Sequence, residues 1–461
     1  MSLQIRGEVM DNYSNNKLMA NVIQIVVYVI SGLSVFYYLL LLDQPFNKED
    51  FLNTVILSIF VVKFVFDIFT FKIGFASFSL LLLFLPIVSL LAFAPIGEVQ
   101  PLFNSQTQLI EKHFYILAFS SLFFYYIWSI LLLLNNKSFK KYDMEVLKYF
   151  SANSASLLST WFFSGVAIIS ALIYLPDLPG KSYNQLSDSL LPGNAWNSVV
   201  VISYFFVIIG SKDSHFRRIA LFFVPFWLLT HFARVDILGL ILIMYIILAN
   251  TKRGKLFKSK LNFKKVAFIA IGLIVFSYLG LVRHSGLIFD AAAISDSIKN
   301  LINYPTVQDI IYSTAAAIEV THESGSYYTL INYIPQLIPS FFGTPSEGAA
   351  YIVAHAIHTN YGLLIYGEYY LNYKIIGVIA APFITYLVVF LPANILKKLF
   401  GNFGFAFGYY LIVTSMPRIF WYGYIYYLKP LVLIVPVFII VHLIITSLEK
   451  ELADKPALKY K

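Results

Sequence analysis

The side chains able to do chemistry in this chain are few, and three of them are arginines set among apolar residues. Arg234 stands between two apolar runs, 219–233 and 235–249; Arg283 closes the run 266–282; Arg418 precedes the aromatic stretch Ile419-Phe-Trp-Tyr-Gly-Tyr424. A helix of about 15 residues is only about 22 Å long, short of the roughly 30 Å of hydrocarbon in a bilayer. The turn that holds Arg234 is therefore expected below the surface, in a thinned or water-filled region. A guanidinium there needs an anion, either Asp236 two residues on or a bound phosphate. Three arginines at one depth, on the side away from the basic loops, ask for a negatively charged ligand, and a pyrophosphate would serve.

Two groups could move a proton. Histidine is the residue type whose ordinary range lies near neutrality, which makes His358 a candidate, and burial would bring Glu368 toward the same range. On one continuous helix they would stand about 15 Å apart, too far to share a hydroxyl, so a single base is expected. Glu368 is favoured because it stands just before the apolar run 375–396. Asn372, four residues on, shares its helix face and could orient it or hold a sugar hydroxyl. The plainer reading pairs Glu368 with Lys374. Lys63 and Asp67, also four residues apart, are expected to neutralise one another inside an apolar helix. Glu319, His322 and Glu323 match no zinc spacing and are expected in solvent on an amphipathic helix, so no metal is expected. With no cysteine in the chain, thiol nucleophiles and thiolate metal sites are excluded.

The elements that must carry these groups are membrane helices. Of 461 residues 59% are apolar and 12% charged, about half the roughly 25% usual for soluble domains. Too few charges remain to coat a soluble surface. Apolar runs lie near 21–42, 52–70, 73–96, 114–135, 155–176, 198–210, 219–233, 235–249, 266–282, 375–396, 405–417 and 431–447. The expected fold is all-α and polytopic, with about twelve transmembrane helices. The net charge of +9 collects in loops holding Lys137, Lys140 and Lys141, then Lys252 to Lys265, then Lys397 and Lys398. Those loops are expected on the cytoplasmic side, as are both termini, and the charge is read as topology rather than as affinity for nucleic acid. One connection is long: 283–373 divides helices 1–9 (1–282) from the last three helices and tail (374–461). It is expected as a large, partly helical outer loop, with amphipathic stretches at 289–303 and 306–320 and a turn-rich centre from Pro335 to Gly348.

Here the residues resemble a family. Arg234-Val-Asp-Ile-Leu238 looks like the arginine-x3-leucine element of bacterial O-antigen ligases and polymerases. His358-Thr-Asn-Tyr-Gly362, then Gly367-Glu-Tyr-Tyr-Leu-Asn372 and Ile376-Gly377, are similar to the end of the large periplasmic loop in Wzy-type polysaccharide polymerases. The resemblance covers about 198–396 and the twelve-span plan; an arginine-x10-glycine spacing found in some members is absent. It implies a GT-C-like, metal-independent glycosyltransferase in the bacterial inner membrane that needs no cofactor. Such an enzyme joins undecaprenyl-pyrophosphate-linked oligosaccharide units on the periplasmic face, among membrane lipids, with a chain-length regulator of the Wzz type as a candidate partner. It further implies Arg234, Arg283 and Arg418 at the pyrophosphate, Glu368 and His358 at the transfer step, and Asn360, Tyr370 and Asn372 at the sugars. A ligase or a flippase remains the alternative; a transporter, however, should show repeated halves and charges at mid-bilayer.

Overall fold

Apolar runs this long satisfy their backbone polar groups internally by coiling, and the regular structure is helical throughout the described residues, with no strand. The structure is a computed structural model; it describes residues 22–47, 51–71, 74–97, 99, 108–136, 145, 149–150, 156–173, 194–211, 214–230, 237–243, 278, 295, 305–337, 348–359 and 362–454. In chain order the helices are α1 Val22–Leu40, α2 Phe51–Phe71, α3 Phe75–Val88, α4 Gln108–Lys112, α5 Phe114–Leu134, α6 Leu157–Ile173, α7 Asn194–Ile209 and α8 His215–Thr230. They continue with α9 Pro305–Ser324, α10 Tyr333–Leu337, α11 Ala349–Ile357, α12 Ile365–Tyr422, α13 Ile425–Leu433 and α14 Val435–Asp454. Six helical stretches among the described residues are long and apolar enough to cross a membrane: α1, α2, α3 with its continuation to Phe93, α5, α12, and α13 run on into α14. Their outward side chains, such as Ile25, Phe69 and Leu387, are large and apolar, as a lipid environment requires. Arg234, Arg283, the stretch 289–303 apart from residue 295, and most of the runs 235–249 and 266–282 lie outside the described residues.

Prolines decide several helix contacts. Pro86 in α3 has no N–H to give the carbonyl of Leu82, and that carbonyl accepts the indole N–H of Trp421 instead, at 3.3 Å. The helix then widens into a π-helical turn, Ser89–Phe93. α12 is three helices in one run, broken at Tyr373–Lys374 and at Gly401, so the apolar stretches 375–396 and 405–417 stand as separate segments.

α9 corrects an expectation. The stretch 306–320 is helical, but it is buried in the bundle against α5, α11 and α12 rather than facing solvent. Its composition explains this. Ala315, Ala316 and Ala317 let neighbours approach closely, while Ser313, Thr314 and Thr321 turn their hydroxyls back onto carbonyls of their own helix at 2.7–2.9 Å. The polarity read as a wet face is largely satisfied internally. Glu319, expected in solvent, is 7% exposed.

Candidate functional site

The site is built around the first segment of α12. Every residue from Ile365 to Asn372 is buried. Lys374, at φ +50°, then turns the chain so sharply that a Cβ on Gly377 would lie 2.1 Å from the carbonyl oxygen of Tyr369. Only glycine allows that approach. The segment thus lies beside the helix that follows, instead of leading straight into it. Three elements clamp it. Thr314 of α9 accepts the Leu364 N–H at 3.2 Å, Tyr366 shares a hydroxyl bond of 2.6 Å with Ser121 of α5, and the Trp421 carbonyl accepts the Leu363 N–H at 2.9 Å. Asn372 is used up locally: its amide donates to the Glu368 carbonyl at 2.7 Å and to Thr329 at 2.8 Å, and its oxygen accepts from the Leu330 N–H at 3.0 Å.

Glu368 is buried, and its carboxyl lines a cavity of about 160 Å³ whose other walls include Tyr333, Gln336, Tyr351, Leu363, Tyr422 and Tyr426. The Tyr333 hydroxyl donates to Oε1 at 2.6 Å and accepts the Tyr424 backbone N–H at 3.3 Å. Burial and then the adjacent carboxyl push the Tyr333 phenol well above its ordinary value, so it stays a donor. Gly423, at φ +93°, carries the backbone past this pair; a Cβ there would lie 3.0 Å from Glu368 Oε2 and 3.1 Å from the Tyr333 oxygen. Lys374 is exposed and takes no part. Behind the site, the Tyr424 hydroxyl joins Tyr369 at 2.9 Å and Thr385 at 2.6 Å.

A second, smaller cavity, about 30 Å³, also has Tyr426 in its wall. Arg418, Asn197, Ser198, Thr414 and Ser415 are among its walls. The Arg418 guanidinium sits 5.2 Å over the Tyr426 ring, within cation–π range, and the buried Oδ1 of Asn197 has no hydrogen-bond partner. Glu368 and Arg418 thus face two cavities that share one wall. A carboxyl that can take a proton, tyrosine walls that can stack on sugar rings, and a guanidinium next door together suit a polyhydroxylated substrate carrying an anionic group.

No family model, curated protein or solved structure matches this chain.

The remaining expected residues are scattered. His358 is exposed at the end of α11, in a left-handed conformation with φ +50°, and is not among the cavity walls. Tyr370 is buried, and its hydroxyl meets His322 Nε2 at 3.1 Å. Asn360 joins Arg234 and Arg283 outside the described residues. Beside Tyr370, Glu319 accepts from Lys112 at 2.6 Å and pairs with His113 Nε2 at 2.5 Å, while His113 stacks on His322. Burial works against both charges. For Glu319 the bonds from Lys112 and His113 outweigh burial and hold the carboxyl below its usual value, whereas burial holds His113 below the usual histidine value. No cluster of three His, Asp or Glu side chains able to hold a metal occurs among the described residues. Sequence reasoning did not single out Tyr333, Gln336 or Gly423. Gly423 lay within the aromatic run already noted after Arg418; Tyr333 was one of several aromatics of the long loop with no spacing to set it apart, and Gln336 lay in the turn-rich stretch.

Proposed function

We propose that the protein is a bacterial inner-membrane polysaccharide polymerase, joining undecaprenyl-pyrophosphate-linked oligosaccharide units of O-antigen or a related surface glycan on the periplasmic face. The observation that carries this reading is the buried Glu368 carboxyl in a tyrosine-walled cavity that shares Tyr426 with the Arg418 cavity. A hydroxyl of one lipid-linked unit attacks the anomeric carbon of the chain on another carrier. The new glycosidic bond forms, the bond to the carrier's pyrophosphate oxygen breaks, and the hydroxyl proton passes to Glu368. Pyrophosphate leaves as an anion, and arginine charge stabilises it. Arg418 supplies such a charge beside the cavity; Arg234 and Arg283 are proposed for the same anion.

The reading carries a topology of twelve spans, with 283–373 forming the periplasmic side, both termini in the cytoplasm and a Wzz-type regulator as partner. Reporter fusions at Lys258 and Lys397 should then read cytoplasmic, and one at Gly325 periplasmic. The deciding experiment is deletion of the gene followed by a gel of surface polysaccharide. Core bearing one repeat unit supports polymerisation. Bare core with carrier-linked polymer would make the protein a ligase, and the absence of both polymer and the single-unit band would make it a flippase. Complementation with Arg234→Ala or Arg283→Ala should leave the single-unit band, and normal polymer would remove those residues from the anion site.

A further inference from the structure

We infer that Tyr333 is a positioning residue: it holds Glu368 in one orientation and leaves Oε2, not Oε1, as the oxygen that faces the cavity and takes the proton. The chemical meaning of this rests on the glycosyl transfer proposed above; the geometry does not. A phenol has one hydrogen to give, and its oxygen accepts along fixed directions. At Tyr333 both are committed, since the hydrogen goes to Glu368 Oε1 at 2.6 Å and the oxygen accepts the Tyr424 N–H at 3.3 Å. A backbone N–H cannot rotate away. The turn after α12 therefore aims the phenol, and the phenol aims the carboxyl.

Three other donors near Glu368 are committed elsewhere. The Tyr424 and Tyr369 hydroxyls bond one another and Thr385, and the Asn372 amide is spent on Thr329 and on the Glu368 carbonyl. Among the described residues Oε2 receives no hydrogen bond, and it lies 3.0 Å from the point a Gly423 Cβ would occupy. Glycine at 423 is thus required twice, by its φ of +93° and by the room the carboxyl needs. A hydroxyl entering between Tyr351, Tyr422 and Tyr426 meets a carboxyl whose other oxygen is already held, so little reorientation is left for the transfer step.

The test uses full-length protein in detergent and dicyclohexylcarbodiimide, which modifies protonated carboxyls in apolar surroundings; labelling of Glu368 is followed by mass spectrometry against pH. Tyr333→Phe removes a hydrogen bond to the charged form, so the labelling midpoint should rise by roughly one to two pH units. The acid limb of turnover should move with it, while KM for lipid-linked units changes less than about twofold. Site-specific 3-fluorotyrosine at 333, a stronger donor of nearly the same shape, should move the midpoint the other way, and it serves where Tyr333→Phe fails to fold. An unchanged midpoint in the folded variants would overturn the positioning role, even if Glu368→Gln stops polymerisation. Shifted labelling in a protein whose loss leaves glycan length untouched would keep the positioning role and reject the function.

Discussion

Two buried carboxylates in this protein live by opposite rules. Asp67 in α2 is closed on every side. Lys63 donates to it at 2.7 Å, Tyr28 at 2.8 Å and Tyr125 at 2.9 Å, while Lys63 also donates to Ser129 at 2.6 Å and lies 3.9 Å from the Tyr28 ring centroid. Glu368 is also buried but less closed: one phenol donates to one of its oxygens, and the residue lines a cavity. A charge inside an apolar bundle costs several kcal/mol unless it is paired, so the Asp67 network is what a purely structural solution looks like. Glu368 lacks that solution. On the proposed reading, the second carboxyl is the one kept available for substrate.

The largest expected effect comes from breaking the closed site. Asp67→Leu leaves Lys63 buried without its counter-charge and should cost about 3–5 kcal/mol, read as loss of folded protein in detergent or a collapse of the melting temperature. The double variant Lys63→Met/Asp67→Leu should recover most of that loss, because replacing both charges with apolar groups removes the penalty along with the attraction. Tolerance of the single change, combined with loss of glycan polymer, would move Asp67 to the functional side and undo the contrast.

Glu368→Gln should show the reverse pattern. Glutamine keeps the volume and can still accept from Tyr333, so the melting temperature should stay close to the parent's. On the proposed function, with Glu368 as the base, turnover with purified lipid-linked units should fall by at least about a hundredfold, since general-base catalysis is worth roughly 10²–10⁴, and donor binding should survive. Near-normal turnover here, with turnover lost in His358→Ala, would transfer the role to His358.

How much of this was legible in the sequence follows from range. The Lys63–Asp67 pair was readable because its partners are four residues apart on one helix, and the six long apolar helical stretches among the described residues were readable because lipid demands length and composition together. Glu368 and Asn372 were readable as a helix-face pair, although the structure spends Asn372 on Thr329 and Leu330 instead of on the carboxyl. Tyr333, Gln336 and Gly423 were not readable. Tyr333 and Gln336 join the Glu368 cavity from 35 and 32 positions upstream, and Gly423 comes back to the carboxyl from 55 positions downstream, past corners at Lys374 and Gly401 that no periodicity announces. α9 misled for a related reason: hydroxyls that bond their own helix look polar on paper and apolar in place.

Arg418 should give a smaller effect. Its guanidinium already rests on Tyr426, an interaction worth about 0.5–1 kcal/mol where solvent reaches it, so part of what Arg418→Ala removes is packing. Polymerisation should drop severalfold rather than vanish. Arg418→Lys should recover little of it, because an ammonium cannot give a planar, two-pronged grip on phosphate. Full recovery by lysine would reduce Arg418 to a point charge and weaken the link between the two cavities.

The smallest effect belongs to Glu319, which lies between the two extremes: buried like Asp67, but paired with Lys112, whose side chain is 59% exposed. Its carboxyl is held below the usual value, and His113 beside it is also held below its own. For both groups the unfolded chain binds protons more readily than the folded one. Their contribution to stability is therefore present at neutral pH and is lost as pH falls, first through the histidine range below about 6.5 and then through the carboxylate range below about 4.3. Melting temperature in detergent should decline across that acid window, and Glu319→Gln should flatten the lower part of the decline while changing stability at pH 7 only modestly, because solvent around Lys112 screens the pair. An acid limb identical in Glu319→Gln and the parent would show that this junction of α5, α9 and α12 is held by packing alone, and would leave Asp67 as the sole ion-paired carboxylate of this comparison whose pairing carries weight.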